Sequence, residues 1–293
     1  MFNPILKTEW LKEGRSIWLP MMIIFYNAIL AFITILFMFF NAESFQEGYS
    51  YDTASYLYQF LIISSFQIAT VFVIMPFCVW GFFALDREKH MIEQYSAIPG
   101  FPRQFILAKI FLVLSVNILL FTSSLPIITL SCIYSGLSWR KVIRLGIMML
   151  IFIFWSGSIS IFSFSVCKKG IWSFAGSTLI ESTFGLGTLL MTELMKNASA
   201  VVYGSDKMAP FLSGLCWFFM LLNPFSSYMG YYGNITGDTG LVNTFCGHIG
   251  IDTSSRTFSL LFYKSASIMC ILTGILFLTL AIWKMEKEQK EVF

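Results

Sequence analysis

Among the residues that could carry chemistry, Glu181 stands apart. It is the one acid well inside an apolar run long enough to cross a bilayer. A carboxylate at hydrocarbon depth is costly, and it marks either a path for a substrate or ion or a structural acid held by hydroxyl groups. Ser177, Thr178, Ser182 and Thr183 surround it in the chain and could hold it. The plainer reading is an acid that is structural or lines a cavity. No cationic partner accompanies it, which argues against ion coupling. Glu193 lies near the end of the same run and is expected to meet water.

The rest of the chemical inventory is thin. The two histidines, His90 and His248, fall on opposite sides of the membrane in the topology below, which excludes a shared metal site and any HExxH helix. Ser156-Gly157-Ser158 lies within an apolar run without a histidine or lysine at its depth to activate a serine. Small residues there are expected to serve close helix packing. The six cysteines (Cys78, Cys132, Cys167, Cys216, Cys246, Cys270) show no CxxC pair, so no metal site is expected. Cys132, Cys216 and Cys246 could reach the outer side, where a disulfide is open to them. Neither GxxxxGK[ST] nor GxGxxG occurs. Any energetic work must then draw on another subunit or an ion gradient, and the chain is not expected to be catalytic by itself.

The elements that position these residues follow from composition. The 293 residues are 57% hydrophobic and only 12% charged. Soluble domains carry roughly a quarter charged residues, so the main solvent here is lipid. A net charge of +3 is too small and too scattered for nucleic acid. A spanning helix needs about 20 apolar residues. Six such runs occur: Ile17–Phe40, Tyr56–Leu85, Phe105–Tyr134, Val142–Val166, Ile171–Met195 and Phe262–Lys284. The fold class is therefore an all-α membrane protein, a single domain over residues 1–293.

Asn3-Pro4 reads as a helix start, and residues 1–16 as an interfacial helix with Leu6, Trp10 and Ile17 on one side. With six spans and a cytoplasmic start, both termini are cytoplasmic. Lysine and arginine then divide as 12 inside and 7 outside, which agrees with the positive-inside rule. The cluster Arg140, Lys141 and Arg144 disagrees locally.

Two polar stretches interrupt this pattern. Residues 86–104 join the second and third runs. Met91, Ile92, Tyr95 and Ile98 fall there at helical spacing among Arg87, Glu88, Lys89 and Glu93, and Pro99-Gly100 and Pro102 end the helix. The next helix is expected near Arg103. An apolar-striped, charged helix on a short loop is suited to being pushed by a soluble partner. Residues 196–261 form the longest part outside the spans. Within it Pro210–Asn223 is apolar but short, which points to a re-entrant or interfacial segment before the sixth span.

The order of these features resembles the ABC-2 type permease family, the membrane subunits of ATP-driven exporters. Five places carry the resemblance, each degenerate, with order and spacing giving the weight. They are Glu9 and Arg15 before the first span; Arg87-Glu88, Pro99, Arg103 and Lys109 around the second loop; Tyr134-Ser-Gly-Leu-Ser138; Leu222-Asn-Pro-Phe225; and a charged tail. Many members carry Gly-Thr after Arg-Glu, where this chain has His90-Met91-Ile92.

The resemblance implies a bacterial plasma membrane and a dimer of permeases, two copies or two homologues, with two separate P-loop ATPase subunits that bind ATP and Mg. It implies that Asp86, Arg87, Glu88, Met91, Ile92, Glu93, Tyr95 and Ile98 form a coupling helix against the ATPase. Glu9, Trp10 and Arg15 make a secondary contact, and Glu181 is the translocation-path candidate. The cargo it suggests is hydrophobic or amphipathic, peptides first. The competing expectations are an ion-driven secondary transporter and a membrane sensor or scaffold that transports nothing.

Overall fold

The computed structural model describes residues 4–14, 16–46, 53–88, 101–167, 169–203, 210–237 and 256–292. Every regular element among them is a helix. In chain order they are α1 (Pro4–Gly14), α2 (Trp18–Gln46), α3 (Thr53–Glu88), α4 (Phe101–Tyr134), α5 (Trp139–Val166), α6 (Gly170–Ser182), a π turn (Thr183–Gly187), α7 (Thr188–Tyr203), α8 (Pro210–Leu222), α9 (Pro224–Thr236) and α10 (Arg256–Val292).

Five of them, α2, α3, α4, α5 and α10, are long and apolar enough to cross a membrane. In hydrocarbon a backbone must satisfy its own polar groups, which a continuous helix does. Tryptophans mark their ends: Trp18 opens α2, Trp139 opens α5, Trp283 lies near the end of α10, and all three are exposed. That is where amphipathic rings sit at a membrane interface. The chain is a multi-pass membrane protein.

The fifth apolar run departs from the expectation of a single uninterrupted helix. Residues 171–195 fall across α6, the π turn and α7, none of which alone reaches spanning length. The interruption falls on Thr183-Phe-Gly-Leu-Gly187, where two glycines lower the cost of rewinding the backbone.

α5 is the most deeply buried of the long helices. It packs on α10, α3, α6 and α4. Met148, Phe152, Trp155 and Ile159 form its core face, and Trp155 Nε1 donates to Thr273 Oγ1 of α10 at 3.0 Å. α2 has the least buried share of its span and rests mainly on α4. α9 lies tightly on α10, because a Cβ on Gly230 would come within 2.8 Å of the Ser259 carbonyl oxygen and the Tyr263 nitrogen.

Several local expectations are corrected. α3 runs on through Asp86, Arg87 and Glu88, so a separate helix does not begin there. Residues 89–100, which include Met91, Ile92, Glu93, Tyr95 and Ile98, lie outside the described residues. α4 begins at Phe101 and takes Pro102 in its first turn, where the missing N–H has no partner to lose. α1 starts at Pro4 as expected and packs on α4. Leu6 packs against the main core, Trp10 is exposed, and Ile17, also exposed, lies beyond the end of the helix. Asn3 and Arg15 lie outside the described residues, as do His90, Cys246 and His248.

Candidate functional site: a buried carboxylate beside a π turn

Glu181 is 4% exposed. It sits eleven residues beyond Gly170, so about 16 Å along its helix at 1.5 Å per residue. Ser156 Oγ donates to Glu181 Oε1 at 2.5 Å, across from α5. No ion pair reaches Glu181 among the described residues. Glu193, by contrast, is half exposed and pairs with Lys196 at 3.2 Å.

The expected partners on its own helix do not hold it. Ser177 and Thr178 donate to the Phe174 carbonyl, Thr183 donates to that of Leu179, and Ser182 is exposed. At these three positions the helix carbonyl three or four residues back lies within reach of the hydroxyl and takes its hydrogen. The partner comes instead from Ser156-Gly157-Ser158. Its packing role holds as well, because a Cβ on Gly157 would press on Met75 and Ile110 at 3.0 and 3.2 Å. Ser163 continues the α5–α6 seam by donating to the Ser173 carbonyl at 2.9 Å.

Aromatic rings form the next layer. Trp155 meets Phe184 edge-on at 5.8 Å, and Phe184 meets Phe277 at 5.9 Å. Phe72 contacts both Trp155 at 5.8 Å and Phe225 at 4.9 Å. The carboxyl therefore sits where Ser156 and, one turn along α5, Ser160 supply the local polarity.

Directly beyond it the π turn is stitched to the break between α8 and α9. A π turn shifts the hydrogen-bond register and leaves backbone groups in need of other partners. Asn223 Nδ2 donates to the Gly185 carbonyl at 2.7 Å and to Thr188 Oγ1 at 2.8 Å. Its Oδ1 accepts from Phe225 N at 2.7 Å and so caps α9, with Pro224 in the first turn. Gly185 is required by the fit, since a Cβ there would lie 2.7 Å from the Phe225 ring.

The far end of α9 engages two of the three cations in the basic cluster that departs from the charge rule. Lys141 Nζ donates to the Ile235 carbonyl at 3.3 Å, and Arg144 Nη1 to Asn234 Oδ1 at 3.0 Å. Cations at a helix C-terminus complement its partial negative charge. Tyr228 Oη donates to the Leu61 carbonyl at 2.8 Å and ties α9 to α3 as well.

A second polar group escaped the sequence reading. Between α2, α3 and α4 lie Tyr26, Asn27, Gln67, Asn117, Ser123 and Ser124. Gln67 Nε2 donates to Ser124 Oγ at 2.9 Å, and Asn27 Nδ2 to Ser123 Oγ at 2.8 Å. The available signal was uncharged amides inside apolar runs, which hydropathy averages hide.

The remaining candidates scatter. Lys109 is fully buried, with its Nζ 5.5 Å from the Phe105 ring centre, so it does not face water as a residue near a span end would. Arg103 pairs with Glu286 of α10 at 2.7 Å. Cys132 and Cys216 are free thiols. No set of three or more His, Cys, Asp or Glu that could hold a metal occurs among the described residues. Comparison with family models, curated proteins and solved structures gives no match.

Proposed function

We propose that this chain is the membrane subunit of an ATP-driven exporter of the ABC-2 permease kind, moving hydrophobic or amphipathic cargo, peptides first. In this reading α6, the π turn and α7 make one crossing, which gives six. α8 and α9 form a re-entrant pair that dips from the outer side to Asn223. Both termini and residues 86–104 face a cytoplasmic P-loop ATPase, which binds ATP and Mg, and a second permease copy or homologue completes the pore. Glu181 lines the translocation path or braces it, and the chain performs no catalysis itself.

The observation that carries this reading is the broken α8–α9 pair. Two helices of 13 residues each are too short to span. The end of α9 meets Lys141 and Arg144 at the start of α5, and α8 meets α7 through Cys216 and Met195 at 3.6 Å between sulfurs. That arrangement fits a pair entering and leaving on one side, and it supports the order of elements on which the resemblance rests. The salt bridge from Arg103 to Glu286 gathers the start of α4 and the charged tail, which supports placing both at one surface.

The test is to express the chain with an ATPase encoded beside it and purify through a tag on the chain alone. Co-purification, with ATP hydrolysis in lipid stimulated by amphipathic peptide, is the expected result. A chain that purifies alone and transports without ATP would sink the proposal.

The second reading, an ion-driven transporter, draws on Glu181. A buried acid beside an interrupted helix is what such a mechanism uses. It is the weaker reading, because Ser156 rather than a second ionisable group partners that acid.

A further inference from the structure

The polar group between α2, α3 and α4 surrounds a small cavity lined by Tyr26, Gln67, Thr70, Asn117, Phe121 and Met149, among others. It has room for about one water molecule. Gln67 is 1% exposed and Asn117 4%, so both amides have left bulk solvent.

The hydrogen bonds fix which way the Gln67 amide points. Ser124 Oγ has a single hydrogen, and it donates that to the Phe121 carbonyl at 2.7 Å. It can then only accept from Gln67, which makes its neighbour Nε2 and not Oε1. Gln67 Oε1 is thereby left as a buried acceptor without a partner. Asn117 spends Nδ2 on the Val113 carbonyl at 3.0 Å, which leaves its Oδ1 to accept from another donor. Thr70 spends its hydrogen on the Phe66 carbonyl at 2.7 Å and cannot donate to Gln67 as well, and the Tyr26 hydroxyl lies against the Gln67 and Ser124 side chains. A buried acceptor without a donor is expensive, above all in a bundle surrounded by lipid. The cavity therefore calls for a ligand with two donors and small size.

We propose that this cavity binds one ordered water molecule that donates to Gln67 Oε1 and Asn117 Oδ1 and accepts from the Tyr26 hydroxyl. Three bonds are the usual complement of a buried water. This water joins α2, which has the least buried share of its span, to α3 and α4 by exchangeable bonds at spanning depth. Direct side-chain bonds fix one helix register, whereas a bridging water permits small slides between helices without orphaning an amide.

The experiment is a lipidic-phase crystal structure of the full chain at a resolution that places water, together with the Gln67→Met and Tyr26→Phe variants. The wild-type map is expected to hold a single compact peak within hydrogen-bond distance of Gln67 and Asn117. Gln67→Met keeps the length of the side chain without its amide, and the peak should be lost. Tyr26→Phe removes one hydroxyl and should reduce the peak height. A dry wild-type cavity, elongated density from an acyl chain or cargo, or a full peak surviving in Gln67→Met each overturns the proposal. The wild-type map decides on its own if Gln67→Met fails to fold.

Discussion

At the residue scale, Glu181 and Ser156 make the sharpest claim. Glu181→Gln keeps size and hydrogen bonding while removing the charge. Transport driven by ATP is therefore expected to persist in inverted vesicles, with at most a change in cargo preference. The same vesicles given only a pH gradient should move nothing. Gradient-driven uptake in the wild type, abolished by Glu181→Gln, would establish the ion-driven reading instead. Ser156→Ala removes a hydrogen bond to an acidic group inside the bundle. A buried hydrogen bond of this kind contributes about 0.5–1.5 kcal/mol. A lower melting temperature in lipid that is repaired by Ser156→Thr, and not by Ser156→Val, is the expected pattern. Ser156 was legible as a small packing residue. Its role as partner to the acid was not, because the two stand 25 positions apart on helices whose register only packing sets.

At the element scale, the knot around Asn223 holds the π turn against the start of α9. Asn223→Ala deletes both amide donors and the cap. Cap losses cost about 0.5–2 kcal/mol, and interhelical hydrogen bonds in membranes add about 0.6 each. Unfolding in mixed micelles should show a loss of about 2–3 kcal/mol, and Asn223→Asp, which keeps the cap but turns a buried carboxylate oxygen toward the Gly185 carbonyl, should not recover it. An unchanged unfolding curve for Asn223→Ala would mean that the knot contributes nothing. The cytoplasmic loop makes a different demand. If the end of α3 and the residues up to Ile98 form the ATPase contact, Glu88→Ala or Tyr95→Ala should lower complex yield or peptide-stimulated ATPase activity while the chain still folds. Breaking a desolvated charge contact costs about 2–5 kcal/mol. Wild-type yield and stimulation in both variants would remove this helix from the interface.

At the scale of the whole molecule, the bundle is organised around α5; many hydroxyls bond a carbonyl of their own helix, and a smaller set of polar side chains ties one helix to another. The Arg103–Glu286 pair is largely exposed on its arginine side, so it contributes about 0–1 kcal/mol and more to alignment than to stability. The isolated chain is expected to show no ATP hydrolysis above background in lipid, and hydrolysis should appear when the ATPase subunit is added. Robust turnover by the purified chain alone would contradict the proposed division of labour.

The sequence by itself determined that the chain lives in a membrane and is built from helices. Apolar runs longer than a bilayer is thick, with charge confined to their ends, admit little else. It also located α8 by its length, whereas α9, which Asn223 caps and Pro224 opens, is not among the helices read from the sequence. Tertiary structure alone decided where those elements meet. The π turn, the bonds from Asn223 to Gly185 and Thr188, the use of Lys141 and Arg144 at the end of α9, and the amide group around Gln67 each join residues far apart in the chain. Hydropathy reports the solvent a residue prefers. It carries no information about which helix face meets which, and in lipid that is fixed by close packing and by the need to pair every buried donor and acceptor.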